Sequence, residues 1–295
     1  MLKVNFSYLK YVDEKYYYED KLFTGASFKI IGCSVEEFWE FKEGIHIGNY
    51  QSKYLPNDPS LLRINVDCIE FNGEYLTSYA YYQNHGFSGI AYEIEAGDEL
   101  CIGEHLISDG WPKSSVGWDY LGNLRSVRLD SGDFSQNFSW YSDGSLRGLQ
   151  LYSNEFQQRM IHVHLNEKKE FISIWIEKGY YSWVSKFIDR LAFDYFSTKE
   201  DFIDFAVSSS LGLYSSGVDD DLFDLLMSNN KLATLSEITI RLTSLSEQSF
   251  LELAGLENLK TILIEDKRDL RGVAQQLKHE RPDGLVKLNS EEVKN

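Results

Sequence analysis

The chain of 295 residues carries 29 basic and 46 acidic side chains, a formal charge of −17, with 43% hydrophobic and 25% charged residues. This composition excludes disorder, collagen and coiled coil, and leaves one large or two ordinary globular domains. The acidic excess lies in the first 230 residues, and its field repels phosphate backbones and anionic lipid head groups, so nucleic acid and membranes are poor partners.

The 19 Tyr, 18 Phe and 6 Trp favour half-buried pleated surfaces, and 21 Gly against 4 Pro suit hairpin turns. A strand-rich protein follows. Cys33, Cys68 and Cys101 form no CxxC pair and are odd in number, so neither a disulfide framework nor a structural zinc site is expected, and a reducing compartment fits best. The N-terminus lacks an apolar run of signal-peptide length and no stretch could span a bilayer, which points to the cytoplasm.

Along the chain, Phe23-Thr-Gly25-Ala-Ser-Phe28-Lys-Ile30 is echoed by Phe87-Ser-Gly89-Ile-Ala-Tyr92-Glu-Ile94, each after a tyrosine cluster. Between them, Ser34 with Glu36 and Glu37 predicts a short helix, with Glu36, Glu37, Glu40 and Glu43 on one side and Phe38, Trp39 and Phe41 on the other. Such a helix either lies on the sheet or offers an acidic aromatic patch to a partner. Next, Trp118-Asp-Tyr-Leu-Gly122-Asn-Leu124-Arg125 recurs 22 residues on as Trp140-Tyr-Ser-Asp-Gly144-Ser-Leu146-Arg147. Both describe an aromatic strand entering a tight turn in which Gly takes positive φ.

Met160–Leu165 and Phe171–Ile176 predict a strand pair joined by a polar turn at Asn166–Glu170. Trp183, Val184, Phe187, Ile188, Leu191 and Tyr195 follow helical spacing, and Phe202, Phe205 and Ala206 continue a second helix after a capping signal at Ser197–Glu200. Ser208–Gly217 reads as a linker, and Asp219-Asp-Asp-Leu opens a short helix. Beyond it a period of 24 emerges. Ile238, Ile262 and Val286 form one series and Ile240, Ile264 and Leu288 another, with Phe250, Leu253 and Leu256, then Leu270, Val273 and Leu277, at helical spacing between them.

The unit Trp140-Tyr141-Ser-Asp143-Gly144-Ser-Leu146 resembles the repeats of the bacterial variant-MORN antitoxin family, and the C-terminal period resembles a leucine-rich repeat of roughly 24 residues. The first resemblance implies successive hairpins in one elongated sheet and a role as antitoxin beside a secreted bacterial toxin. The expected fold is α+β: an elongated antiparallel sheet of MORN-like hairpins over 1–180, a helical connection over 181–230 with its Ser/Gly linker near 208–217, and a leucine-rich-repeat-like parallel β/α unit over 231–295.

Candidate chemistry is sparse. His162 and His164 share a strand face but lack further metal ligands, and Glu93 and Glu95 share a face as the carboxylates of a glycoside hydrolase might. Asp219, Asp220 and Asp221 lack EF-hand spacing. No nucleophile elbow, P-loop or dinucleotide fingerprint occurs, so no catalytic residue, metal or cofactor is assigned. The expected function is an immunity protein that occludes a basic protein toxin, its partner surface formed by Asp119, Tyr141 and Asp143 or by Glu36, Glu37 and Glu40. The alternative is a carbohydrate-active or carbohydrate-binding protein using Glu93, Glu95 and the Trp residues.

Overall fold

A computed structural model describes residues 1–74, 78–95, 97, 99–130, 132, 134–154, 158–180 and 198–294, in two units, Met1–Ser145 and Leu146–Asn295. The first unit uses one module twice. Strand β1 (Lys3–Asn5) runs parallel to β5 (Gly25–Ile31), with Lys3 opposite Ala26, and β8 (Leu62–Asn65) runs parallel to β12 (Gly89–Ile94), with Arg63 opposite Ile90. After each first strand an asparagine side chain caps a 3₁₀ turn: Asn5 accepts from the Ser7 amide at 3.2 Å and Asn65 from the Asp67 amide at 3.1 Å.

A small three-stranded antiparallel sheet then fills each connection. In the first copy it is β2 (Lys10–Val12), β3 (Lys15–Tyr18) and β4 (Lys21–Leu22); in the second it is β9 (Glu70–Phe71), β10 (Ala80–Tyr82) and β11 (His85–Gly86). Two antiparallel pairings close each module, β5 with β6 (Ser34–Lys42) and β6 with β7 (Ile45–Asn49), then β12 with β13 (Cys101–Ser108) and β13 with β14 (Trp111–Trp118). The echoed Phe-x-Gly motif marks the join. Phe23 and Phe87 are both 2% exposed, and a Cβ on Gly25 or Gly89 would lie 2.4 or 2.3 Å from the carbonyl oxygen of Leu2 or Leu62, so only glycine lets the parallel neighbour approach. The antiparallel sheet expected over 1–180 is therefore mixed, because these small sheets act as crossovers between parallel strands.

The two copies dock reciprocally. The Asn5 amide donates to the Glu99 carbonyl at 2.7 Å and the Asn65 amide to the Cys33 carbonyl at 2.8 Å. Each 3₁₀ turn thus sits on the hairpin turn of the other copy. Tyr8 fastens one contact through its hydroxyl to the Gly97 carbonyl at 2.6 Å, and a Cys33–Cys68 disulfide fastens the other. This corrects the expectation of no disulfide. The two cysteines lie 35 residues apart in sequence, with no local spacing signal, and only the docking of the copies brings them together.

The helix expected after Ser34 is also corrected, since Ser34–Lys42 is strand β6. Val35 and Phe41 are buried at period two, and Glu36 stands across from Lys29 on β5. Aromatic residues and a cross-strand charge pair outweigh the local cap signal. Strands β15 (Leu124–Asp130) and β16 (Phe134–Trp140) continue from β14 as an antiparallel meander.

In the second unit, β17 (Leu146–Ser153), β18 (Gln158–Leu165) and β19 (Glu170–Ile176) are antiparallel, and the Asn166 side chain closes the expected polar turn by accepting from the Lys168 and Glu170 amides, both at 3.0 Å. Trp183, Val184, Phe187, Ile188, Leu191, Tyr195 and Ser197 lie outside the described residues. Where a helix was expected around Phe202, a 3₁₀ turn (Glu200–Asp204) leads directly into β20 (Ala206–Tyr214). The segment that reads as a Ser/Gly linker is thus mostly a strand. It runs parallel to β19, and its buried Val207, Leu211 and Leu213 alternate with serine and glycine that mimic linker composition.

The 24-residue period is exact in the backbone. Strands β21 (Glu237–Arg241), β22 (Thr261–Glu265) and β23 (Leu285–Leu288) run parallel, with Ile238 opposite Ile262 and Ile262 opposite Val286; β24 (Glu291–Glu292) returns antiparallel to β23. Helices Asp220–Ser228, Glu247–Glu252 and Arg271–Glu280 bury Phe223, Phe250 and Leu277. Two arginines close the connections. Arg268 donates to the carbonyls of Leu245 and Thr243 and forks onto Asp266, and Arg281 donates to the carbonyls of Ala254 and Leu256, both at 2.8 Å.

Candidate functional site

The 22-residue repeat forms two equivalent turns at one end of the β14–β16 meander. The Asp119 amide donates to the Asn123 carbonyl at 2.9 Å, and the Tyr141 amide to the Ser145 carbonyl, also at 2.9 Å. Gly122 and Gly144 both hold positive φ, 77° and 81°. The acids expected on a sheet face are part of these turns. Asp119 Oδ1 accepts from the amides of Leu121 at 3.0 Å and Asn123 at 2.9 Å, and Asp143 Oδ1 accepts from the Ser145 amide at 2.8 Å. Burial pulls the Asp119 carboxyl up, but the hydrogen bonds from Asn123 and Leu121 outweigh it and hold the group below the usual carboxylate range.

Between these acids project residues that the sequence reading passed over. Tyr120 is 64% exposed and Leu121 79%, the two most exposed large hydrophobic side chains among the described residues. In the other turn the aligned positions are Ser142 and Asp143, both exposed. A large apolar pair at the tip of a turn whose twin is polar was the available signal. Of the strip, Trp118 is buried, Trp140 packs against the same core, Tyr141 is half-buried and Asp143 is exposed.

A second feature lies where the copies meet. The side chain of Lys3 is fully buried and pairs with the equally buried Glu104, its ammonium 3.7 Å from the centre of the Trp118 ring and 4.3 Å from that of Tyr50. Burial alone would pull Lys3 down, but the Glu104 carboxylate outweighs it and raises the lysine above its ordinary value. Arg63 holds the equivalent place in the second copy, and there Phe38 stands where Glu104 stands in the first. A cleft of about 380 Å³ opens in front of Arg63, with walls from Phe38, Tyr50, Pro56, Asn57 and Tyr92. Arg63 Nη1 donates to the Tyr92 hydroxyl at 2.5 Å, and Phe38 stacks on Tyr92 with ring centres 4.7 Å apart. The segment between β7 and β8 is pinned by buried Leu55 and by a reciprocal bond, the Ser52 amide to Asn57 Oδ1 at 2.8 Å and Asn57 Nδ2 to the Ser52 carbonyl at 3.0 Å.

The other candidates separate. Glu36 is exposed on β6, Glu40 is half-buried on the same strand, and the Glu37 side chain lies outside the described residues. Glu93 faces His105 at 3.4 Å, while the Glu95 amide bonds back to Leu100, so this pair serves the β12–β13 hairpin. His162 and His164 stand with ring centres 4.1 Å apart; burial, with His164 and Arg159 nearby, lowers His162 to about 4, and burial also lowers His164. Asp219 caps its helix through the Leu222 amide at 3.1 Å and binds Lys199, Asp220 accepts from the Ser246 amide at 2.7 Å, and Asp221 binds Lys199 at 3.0 Å. The thiol of buried Cys101 is pushed up to about 12 by burial, which leaves it protonated and inert. Among the described residues no three His, Cys, Asp or Glu gather to hold a metal ion, and no helix is long and apolar enough to cross a membrane.

No family model and no curated protein matches the chain. Among solved structures it is similar to a chain of the GtfA/B complex bound to UDP and GlcNAc, at 13% identity and a TM-score of 0.19, covering 76% of this chain and 44% of that one. It is also similar to a chain of the accessory secretory protein 1, 2 and 3 structure from Streptococcus pneumoniae, at 14% identity and a TM-score of 0.20, covering 76% and 42%. The chain spans less than half the length of either, and likenesses at these TM-scores carry no functional argument.

Proposed function

We propose that this chain is a binding protein of the immunity or antitoxin class, which neutralises a basic protein toxin stoichiometrically by covering its working surface. The observation that carries this reading is the turn tip at Tyr120 and Leu121, two large apolar side chains held in solvent by a turn that Asp119 closes. Exposing them costs the free chain hydrophobic stabilisation, and a partner that buries them recovers it. Ring and aliphatic anchors suit burial by a partner, and the charge of −17 would steer a cationic one toward the chain. The MORN-like repeat points the same way.

The test is co-expression. The protein encoded beside this chain's gene is produced in a bacterial host with and without the chain, and growth is followed. The chain restores growth, the Tyr120→Ala/Leu121→Ala double variant does not, and both melt at the same temperature. A harmless neighbour, or full protection by the double variant, overturns the reading.

A further inference from the structure

The duplicated module allows a comparison within one chain. In the first copy the basic residue of the parallel strand, Lys3, is matched by the Glu104 carboxylate. In the second copy the basic residue is retained as Arg63 and the acid is replaced by Phe38. Among the described residues no carboxylate lies within ion-pair distance of Arg63; Asp58 senses its charge, but its carboxylate is held by the amide of Ser60 at 2.8 Å and by its hydroxyl at 2.7 Å. Among the described residues one of the guanidinium's five donors is hydrogen-bonded, to the Tyr92 hydroxyl. Among the described residues no acid plays the part of Glu104 here, and the cleft opens in front of the guanidinium.

The walls specify the rest of the occupant. The rings of Phe38 and Tyr50, with centres 6.0 Å apart and planes inclined by 42°, are half-buried and give the cleft an aromatic wall. Asn49 and Gln51 add side-chain amides that both donate and accept, as hydroxyls require, while Asn57 and Ser52 are held by each other and hold the rim in place. A volume of about 380 Å³ lies in the range of small-ligand sites, about 300 to 1,000 Å³. We infer that the Arg63 cleft binds a carboxylated sugar ring of the hexuronate type, its carboxylate forked onto Arg63, its apolar face against Phe38 and Tyr50, and its hydroxyls on the amide side chains of Asn49 and Gln51. No bond is made or broken. The site is independent of the Tyr120–Leu121 turn, so it stands or falls separately from toxin neutralisation.

The experiment titrates the isotope-labelled full chain with methyl glucuronide, methyl glucoside and acetate, following the side-chain signals of Arg63, Phe38 and Tyr92 by NMR. Methyl glucuronide shifts all three and saturates, while the glucoside and acetate bind at least about tenfold more weakly, the loss expected for one charged hydrogen-bonded contact. Arg63→Gln removes binding, and Arg63→Lys, which keeps the charge and loses the fork, weakens it by about tenfold at an unchanged melting temperature. Equal binding of glucoside and glucuronide, equal binding of acetate and glucuronide, no saturation by glucuronide, or unaltered binding by Arg63→Lys would each overturn the inference.

Discussion

Lys3 and Arg63 occupy the same position in two copies of one module, yet Lys3 is sealed against Glu104 while Arg63 opens onto a cleft lined by Phe38. One copy has spent its basic residue on the interior. The other has kept a cation at the surface.

The sealed pair sets the first expectation. Lys3→Met leaves the Glu104 carboxylate buried and uncompensated, and urea unfolding should show a loss of about 3–5 kcal/mol, whereas Lys3→Met/Glu104→Leu should recover most of it. Equal losses in the single and double variants would show that the pair is not coupled.

The turn acids should differ in cost. Asp119 is half-buried and satisfies two amides and the Asn123 side chain, so Asp119→Ala should lose about 2 kcal/mol, within the range for hydrogen bonds to charged groups. Asp143 is exposed, and water can replace the bonds it accepts from the Ser145 amide and hydroxyl, so Asp143→Ala should lose about 1 kcal/mol or less. Denaturant midpoints of the two variants check the order.

In the parallel stack, Ile262 is 1% exposed between Ile238 and Val286. Ile262→Ala should cost about 2–5 kcal/mol, and Ile262→Asp should cost more because the cavity would also hold an unpaired charge. Near-native melting of Ile262→Asp would contradict the register.

His162 makes stability depend on pH. Its folded value of about 4 lies below the ordinary 6.5, so between those values the unfolded chain takes up a proton that the folded chain refuses. This contribution is complete above pH 6.5 and is lost as the pH falls toward about 4. The melting temperature of His162→Gln should therefore fall less steeply across that window than that of the parent, with Arg159 and His164 unchanged. Parallel curves would remove His162 as the cause.

The bridge between the copies should be visible chemically. Alkylation of intact cells before lysis, followed by mass spectrometry, should find Cys101 unmodified in the folded protein and Cys33 joined to Cys68. Cys33→Ser/Cys68→Ser should cost about 2–4 kcal/mol.

Local periodicity by itself determined the strands at Ile238, Ile262 and Val286, the matched turns at Gly122 and Gly144, and the Phe-x-Gly echo at Gly25 and Gly89, because each depends on side-chain alternation or on a conformation that only glycine adopts without clash. Tertiary structure decided what local signals left open or misdirected. Ser34–Lys42 became a strand because β5 and β7 pair with it on either side, and Ser208–Gly217 yielded a strand because β19 and β21 flank it. Cys33 meets Cys68, and Arg63 faces Phe38, only because two copies of a module dock reciprocally. Such contacts join residues dozens of positions apart, and no window of neighbouring residues carries the information that places them together.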